Sequence, residues 1–219
     1  MRAVVMREFG PPEVLEAAEV EEPGAGPGEV VIEAEFANVT FVETQIRAGR
    51  APHPSMLPAL PVILGNGTGG TAGGRRVVAS LNGTGGYAER VAADAGRLIE
   101  IPDELSLRDA VALLADGRTA LSLVGRAGLA AGETVLVEAA AGGVGTLLVQ
   151  LARNAGARVV ALGGQPRKLA LARDLGADLT VNYRQDGWTR QVRDAVGDVD
   201  VVFDGVGGDV GLAAFGLLG

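Results

Sequence analysis

The chain has 219 residues, of which 47% are hydrophobic, and it carries a formal net charge of −8 at neutral pH. This length allows one large domain or two smaller ones, and the acidic balance disfavours nucleic acid as a partner because like charges repel. The absence of cysteine excludes disulfides and thiolate zinc sites, and no apolar run approaches the roughly 18 residues that span a membrane. We therefore expect a cytoplasmic protein that binds neither nucleic acid nor membrane.

Residues 1–105 contain short alternating runs interrupted by glycine and proline, as at Val30-Val31-Ile32. This pattern predicts a β-rich domain with irregular loops, one of which is the proline-rich segment 49–61. The only histidine, His53, lies in that segment without a partner ligand nearby in the sequence, so we expect no metal site.

A different pattern begins at Ser106 and continues to residue 219. Ser106 is expected to cap a helix, with Asp109 three positions later, and the apolar run 110–123 predicts a helix interrupted near Gly117. Strands and helices then alternate: strands at 134–137, 158–162, 179–182 and 199–203, and helices at 144–155, 167–175, 188–196 and 210–218. This alternation indicates an α/β fold with a parallel sheet and right-handed crossovers.

A glycine-rich turn over 133–145 joins the first of these strands to its helix. It contains Ala141, Gly142, Gly143, Val144 and Gly145, placed between a buried-type strand and an amphipathic helix. This context is typical of a dinucleotide-binding turn, in which small residues let backbone N–H groups approach a pyrophosphate at a helix N-terminus. Gly145 is expected to let the helix pack against the strand. A tight turn without a ligand is the alternative.

The end of the second strand, at Gly163 and Gly164, bears on the choice of cofactor. A site that prefers NAD usually carries an acid about 20 residues after the first glycine, where it binds the ribose hydroxyls. No acid is present there, and Arg167 and Lys168 follow, so NADPH is favoured because a cation attracts its 2′-phosphate. Either cation could instead be a solvated side chain in the first turn of a helix.

Several segments together resemble one family. They are the glycine turn, the phrase Leu114-Ala115-Asp116-Gly117-Arg118-Thr119-Ala120, the run 168–178, the loop 38–49 and Asn182-Tyr183-Arg184. The chain resembles the medium-chain dehydrogenases/reductases, and within them the zinc-free quinone oxidoreductases related to zeta-crystallin. The resemblance covers nearly the whole chain. It implies a GroES-like β-barrel catalytic domain over 1–105 and a Rossmann NADPH-binding domain over 106–219.

The resemblance also implies an activity and roles for single residues. It implies hydride transfer from NADPH to a quinone or a conjugated enone or enal, in a homo-oligomer that is commonly a dimer. Gly142 to Gly145 would hold the pyrophosphate, and Lys168 and Tyr183 would flank the 2′-phosphate. Thr119 would lie near the nicotinamide end and Thr40 near the substrate. The simpler alternatives are that Thr119 bonds a carbonyl in its own helix, that Thr40 is a loop hydroxyl, and that Tyr183 packs on the surface.

Zinc is not expected, because zinc-containing relatives carry a Gly-His-Glu phrase where this chain has Gly65, Asn66 and Gly67. Reduction of a conjugated carbonyl needs only a hydride donor and a polar group that holds the developing enolate oxygen.

Compared with the family, a barrel strand and its loop are expected to be deleted near 72–73, and the last Rossmann strands are expected to be absent. The chain would then stop inside the helix 210–218 and leave 199–203 as an apolar edge strand, which invites pairing with another chain. A non-catalytic NADPH-binding protein with an incomplete nicotinamide pocket and an oligomer-forming protein are therefore the alternatives to an enzyme.

Overall fold

The computed structural model describes residues 1–219, which form two compact units, Met1–Ala115 and Asp116–Gly219. The division falls within the long helix α2 (Leu107–Ala127), whereas the predicted domain boundary lies just before it. The first turns of α2 belong to the first unit because Leu107, Val111 and Leu114 share a buried cluster with strand residue Val78. Asp109 N donates to Ser106 Oγ over 3.1 Å, which confirms the predicted helix start.

The first unit is β-rich, as predicted, and its strands pair antiparallel. They are β1 (Arg2–Met6), β2 (Leu15–Glu19), β3 (Glu29–Asn38), β4 (Val62–Ile63), β5 (Gly67–Ala72), β6 (Arg75–Ser80), β7 (Arg90–Asp94) and β8 (Ile99–Glu100). One sheet has the order β2-β1-β4 and the other β7-β3-β5-β6-β8. Helix α1 (Phe41–Arg47) follows β3, and short 3-10 turns lie at Pro12–Val14, Pro54–Met56 and Ala95–Arg97. The assignment of this unit to the GroES-like class stays a prediction.

A two-residue turn joins β5 to β6 at the place where the sequence predicts a deletion. Ala72 pairs with Arg75, so Gly73 and Gly74 alone form the loop, with φ angles of 56° and 76°. A type I′ hairpin needs positive φ at both central residues, which glycine adopts without steric cost. The chain therefore closes this hairpin tightly, and the deletion relative to the family stays a prediction.

The second unit is a parallel sheet with the strand order β11-β10-β9-β12. Its strands are β9 (Thr134–Val137), β10 (Arg158–Gly163), β11 (Leu179–Asn182) and β12 (Val201–Phe203), and its helices are α3 (Gly143–Asn154), α4 (Pro166–Asp174), α5 (Trp188–Val196) and α6 (Gly208–Phe215). In chain order this arrangement is 3-2-1-4, the order expected for the first part of a Rossmann sheet. Most of these elements lie within one residue of their predicted bounds.

Both faces of this sheet are covered. Val135, Val137, Val159 and Ala161 pack with α3 on one face, and alternate residues such as Leu136 pack with α5 and α6 on the other. Strands buried on both faces read as continuous apolar runs, which is why their positions could be predicted from the sequence.

Three predictions about this region are wrong. Helix α2 is continuous through Gly117, because a single interior glycine costs only about 1 kcal/mol and its neighbours favour helix. The fourth strand begins at Val201 rather than 199. The Asp200 carboxylate accepts the Thr134 N–H over 2.7 Å, so this N–H group is not available for a backbone hydrogen bond between the two strands. The last helix ends at Phe215, and the chain does not stop inside it.

The residues after Phe215 lie beside Val199. Val199 N donates to Leu217 O over 2.9 Å and Gly219 N donates to Val199 O over 3.2 Å, in a parallel bridge. The predicted edge strand is therefore partly covered at its beginning.

Candidate functional site

The glycine turn follows the fully buried strand β9 at the carboxyl edge of the parallel sheet. Ala139 adopts a left-handed φ of 45°, and Gly142 N donates to Ala139 O over 2.7 Å, which closes the turn. Gly142 is the N-cap of α3 and has no side chain to cap it. The first N–H groups of a helix have no partner inside the helix, so those of Gly143 and Val144 can serve a ligand.

The turn is shaped by close backbone approach. A Cβ on Gly145 would overlap Ala139 O and lie 2.9 Å from Ala140 Cα. A Cβ on Gly142 would lie 3.1 Å from Ala139 O. The turn thus has the geometry that lets a pyrophosphate approach the backbone, and the residues present fit such a group.

Asp116, on α2, lies against the same helix N-terminus. A Cβ on Gly143 would overlap Asp116 Oδ2 and lie 2.8 Å from its Cγ. Burial raises the pKa of Asp116 above its ordinary value. An acid near a helix N-terminus interacts favourably with the helix dipole. The same partial positive charge at the start of α3 would therefore attract both the Asp116 carboxyl group and a phosphate. The sequence pattern did not single out Asp116, although it lies in one of the family-like phrases.

The predicted 2′-phosphate residues come together at the carboxyl ends of β10 and β11. A Cβ on Gly164 would lie 2.8 Å from Arg184 Nε and 3.0 Å from the Tyr183 hydroxyl. A Cβ on Gly163 would lie 3.8 Å from Lys168 Cβ. Lys168 is exposed in the first turn of α4. This cluster has cations and a phenol but no carboxylate, a donor set suited to a phosphate monoester. Arg184 is a further cation that the sequence pattern did not single out as a site residue.

A pair of carboxyl groups, one buried and one exposed, lies at the ends of β9 and β12. Glu138 is 2% exposed, and its Oε2 accepts the Val206 N–H over 3.1 Å. The Oδ1 atom of Asp204 accepts the same N–H over 3.0 Å and that of Gly207 over 2.6 Å. Burial and the adjacent Asp204 raise the pKa of Glu138 to about 7, whereas the hydrogen bond with Glu138 lowers the pKa of Asp204. Each acid directly follows an apolar strand, which is the signal that could have identified them.

In the first unit, Thr40 belongs to a hydrogen-bonded cluster around Glu43. Thr40 caps α1, and its N–H and hydroxyl both donate to Glu43 Oε2, over 2.5 and 3.0 Å. The other carboxylate oxygen, Oε1, accepts the Asn66 N–H over 2.6 Å. The pKa of Tyr87 is raised first by its burial and then by Glu43, to which the Tyr87 hydroxyl is hydrogen-bonded. The Thr40 hydroxyl is thus already engaged.

No group of three or more histidine, cysteine, aspartate or glutamate side chains is placed to hold a metal ion. His53 Nδ1 lies 2.7 Å from Ser55 Oγ. None of the helices has the length and apolarity needed to cross a bilayer.

Comparison with known proteins identifies the family. A sequence model of zinc-binding dehydrogenases matches residues 143–218. A 2-haloacrylate reductase from a Burkholderia species is 34% identical over 226 residues, covering 95% of this chain and 67% of that protein. A quinone oxidoreductase from Salmonella typhimurium is 31% identical over 225 residues, covering 98% and 69%. The crystal structure of the Thermus thermophilus quinone oxidoreductase, also described in complex with NADPH, matches with a TM-score of 0.88 at 37% identity, covering 100% of this chain and 70% of that one.

The chain belongs to the quinone oxidoreductase branch of the medium-chain dehydrogenases/reductases. The predicted family is therefore confirmed. The chain spans about two thirds of the length of these relatives.

The residues predicted from the sequence lie in four places. The turn residues 141–145 lie at the N-terminus of α3, and Gly163, Gly164, Lys168 and Tyr183 lie at the ends of β10 and β11. Thr119 is exposed on α2 in the second unit, and Thr40 lies in the first unit. Their roles toward cofactor and substrate stay predictions.

Proposed function

We propose that this protein is an NADPH-dependent, zinc-independent oxidoreductase that reduces a quinone or a conjugated enone or enal. The observation that carries the proposal is the geometry of the glycine turn. The Ala139 carbonyl group stands where any side chain at Gly145 would project, and the uncapped N-terminus of α3 adjoins the carboxyl end of the central strand β9. Membership of the quinone oxidoreductase branch supports the same reaction class.

The chain's own residues would bind and orient the cofactor. The N–H groups of Gly143 and Val144 would donate to the pyrophosphate, and Lys168, Tyr183 and Arg184 would surround the 2′-phosphate. NADPH, when bound, supplies the hydride. Thr119 would lie near the nicotinamide and Thr40 near the substrate.

Independence from zinc is supported by the donor chemistry around Asn66. The backbone N–H of Asn66 donates to Glu43, and the side-chain Oδ1 of Asn66 accepts the Gly83 N–H over 2.8 Å. An amide engaged in this way is a poor replacement for the imidazole and carboxylate ligands that a zinc site requires.

The test is NADPH oxidation in the presence of a simple quinone, with a matched pair of variants. Gly145→Ala places a methyl group against Ala139 O, whereas Gly125→Ala, at an exposed position of α2, meets nothing within 4 Å. We expect turnover in the wild type and in Gly125→Ala, no turnover in Gly145→Ala, and no effect of a zinc chelator. A wild-type rate equal to the protein-free background with both quinone and enone substrates would exclude the enzymatic function.

A second candidate is an NADPH-binding protein without catalysis, favoured by the engagement of the Thr40 hydroxyl with Glu43. It predicts heat and thermal stabilisation on titration with NADPH but no turnover. Assembly as a homo-oligomer, such as a dimer, and a cytoplasmic location stay predictions. Light scattering on purified protein would test the assembly.

A further inference from the structure

Glu138 is a buried acid with an incomplete set of hydrogen-bond donors. Its Oε2 atom accepts the Val206 N–H, whereas its Oε1 atom is buried and accepts no hydrogen bond. A carboxylate anion buried in this way would leave one charged oxygen uncompensated, which is energetically costly. A neutral carboxylic acid leaves no charged oxygen uncompensated and avoids that cost.

Asp204 is the acceptor for such a proton. The groups that face Glu138 are the Asp204 carboxyl group and the backbone N–H groups of Gly205 and Val206. The two acids differ in their surroundings: Glu138 is almost fully buried, whereas Asp204 is exposed and accepts the Gly207 N–H. Two carboxyl groups in contact cannot both ionise without strong repulsion, so the buried partner keeps the proton and the exposed partner keeps the charge.

We propose that Glu138 is a positioning residue for the dinucleotide crevice: it retains a proton, shares it with Asp204, and thereby holds the turn 204–207 in its binding-competent shape. This inference rests on the proposed binding of NADPH. The turn follows β12, the fourth strand of the sheet. The ligand crevice of this fold lies between the first and fourth strands, β9 and β12, which Glu138 and Asp204 directly follow. Loss of the proton places two negative charges side by side and pushes the turn away from β9.

The pKa of about 7 fixes the pH range of the effect. The pKa of Glu138 is raised in the folded state, so its contribution to stability is present below its ordinary value of 4.5 and is lost as the pH rises through about 7. The pKa of Asp204 is lowered, so its contribution is lost only in acid. If only the protonated form binds, the apparent dissociation constant for NADPH increases about tenfold between about pH 6 and about pH 8.

The experiment measures NADPH dissociation constants across this range for the wild type, Glu138→Gln and the matched control Asp174→Asn. Glutamine resembles the protonated acid, because its oxygen can accept from Val206 and its NH₂ group can donate to Asp204. The 2′-phosphate itself titrates near pH 6, and the slope seen in Glu138→Gln measures that background. Asp174, exposed in α4, controls for the removal of one acid.

We expect the affinity of the wild type and of Asp174→Asn to weaken about tenfold more than that of Glu138→Gln as the pH rises. Parallel slopes for all three proteins would overturn the proposal. If no protein binds NADPH at any pH, both the proposed function and the positioning role fail.

The shared proton is tested separately without cofactor. The melting temperature of the wild type should fall, relative to that of Glu138→Gln, as the pH rises from about 4.5 to about 7, and should then level off. The infrared C=O band of a protonated carboxyl should disappear as the pH rises through about 7 and be absent in Glu138→Gln. A melting difference that does not change with pH, or no titrating band, would show that Glu138 carries no such proton. The infrared band of the wild type decides the question even if Glu138→Gln does not fold.

Discussion

Each unit of this molecule buries one glutamate, and the two differ in their donors. Glu43 is 4% exposed and receives donors on both oxygens, from Thr40 and from Asn66. Glu138 is 2% exposed and receives a donor on one oxygen, while the other faces no donor. Burial alone therefore does not decide what a carboxyl group does. A buried carboxyl group with donors on both oxygens is stable as a carboxylate anion, whereas one with too few donors keeps its proton.

The same substitution at the two sites should have different effects. Glu43→Gln turns an NH₂ group toward N–H donors and leaves buried groups unpaired, so we expect a loss of about 2–4 kcal/mol in the free energy of unfolding. Glu138→Gln near pH 4, below the ordinary pKa of 4.5, should change it by less than about 0.5 kcal/mol, because the acid is then protonated in both states and the amide reproduces it.

Urea denaturation tests this pair of changes. Circular dichroism follows the whole chain, and the fluorescence of the single tryptophan, Trp188 in α5, follows the second unit. Equal losses from the two substitutions would remove the distinction between the two glutamates.

The turn beside Glu138 is held by close backbone packing rather than by side-chain donors. Gly145→Ala forces a methyl group against Ala139 O, and overpacking of this kind costs about 1–3 kcal/mol. Gly125→Ala should instead stabilise the helix α2 by about 0.5–1 kcal/mol. Thermal unfolding followed by tryptophan fluorescence measures both, and a tolerant Gly145→Ala would show that the turn relaxes easily.

Removal of one donor from Glu43 should have a smaller effect than Glu43→Gln. Thr40→Ala keeps the backbone N–H bond but deletes the hydroxyl, and loss of an N-cap costs about 1 kcal/mol. Chemical denaturation gives this value. An unchanged stability accompanied by a large loss of turnover would assign the hydroxyl to the substrate instead.

The second unit could be predicted almost residue by residue, and the site could be predicted only in part. Buried strands and helical spacing placed β9 to β11 and α3 to α5, because local sequence periodicity reports burial. Lys168 and Tyr183 lie in family-like phrases that predict a place beside the 2′-phosphate, and that role stays a prediction.

Contacts between distant segments could not be read from such patterns. Glu138 meets Asp204, and Asp116 meets Gly143, only because the fold brings together segments that are far apart in the chain. The shortened β12 has the same cause, since Asp200 bonds Thr134 across 66 positions of sequence. Gly117 shows the reverse case: a local signal for a break was overridden by its helix-favouring neighbours.

Calorimetric titration of the wild type and Lys168→Gln with NADPH and with NADH tests the central claim most directly. If the glycine turn and the cluster at the ends of β10 and β11 bind NADPH, the wild type should bind NADPH at least about tenfold more tightly than NADH. Lys168→Gln should lose most of that preference and bind NADH unchanged. Equal affinities of the wild type for the two dinucleotides, or no heat with either, would contradict the account.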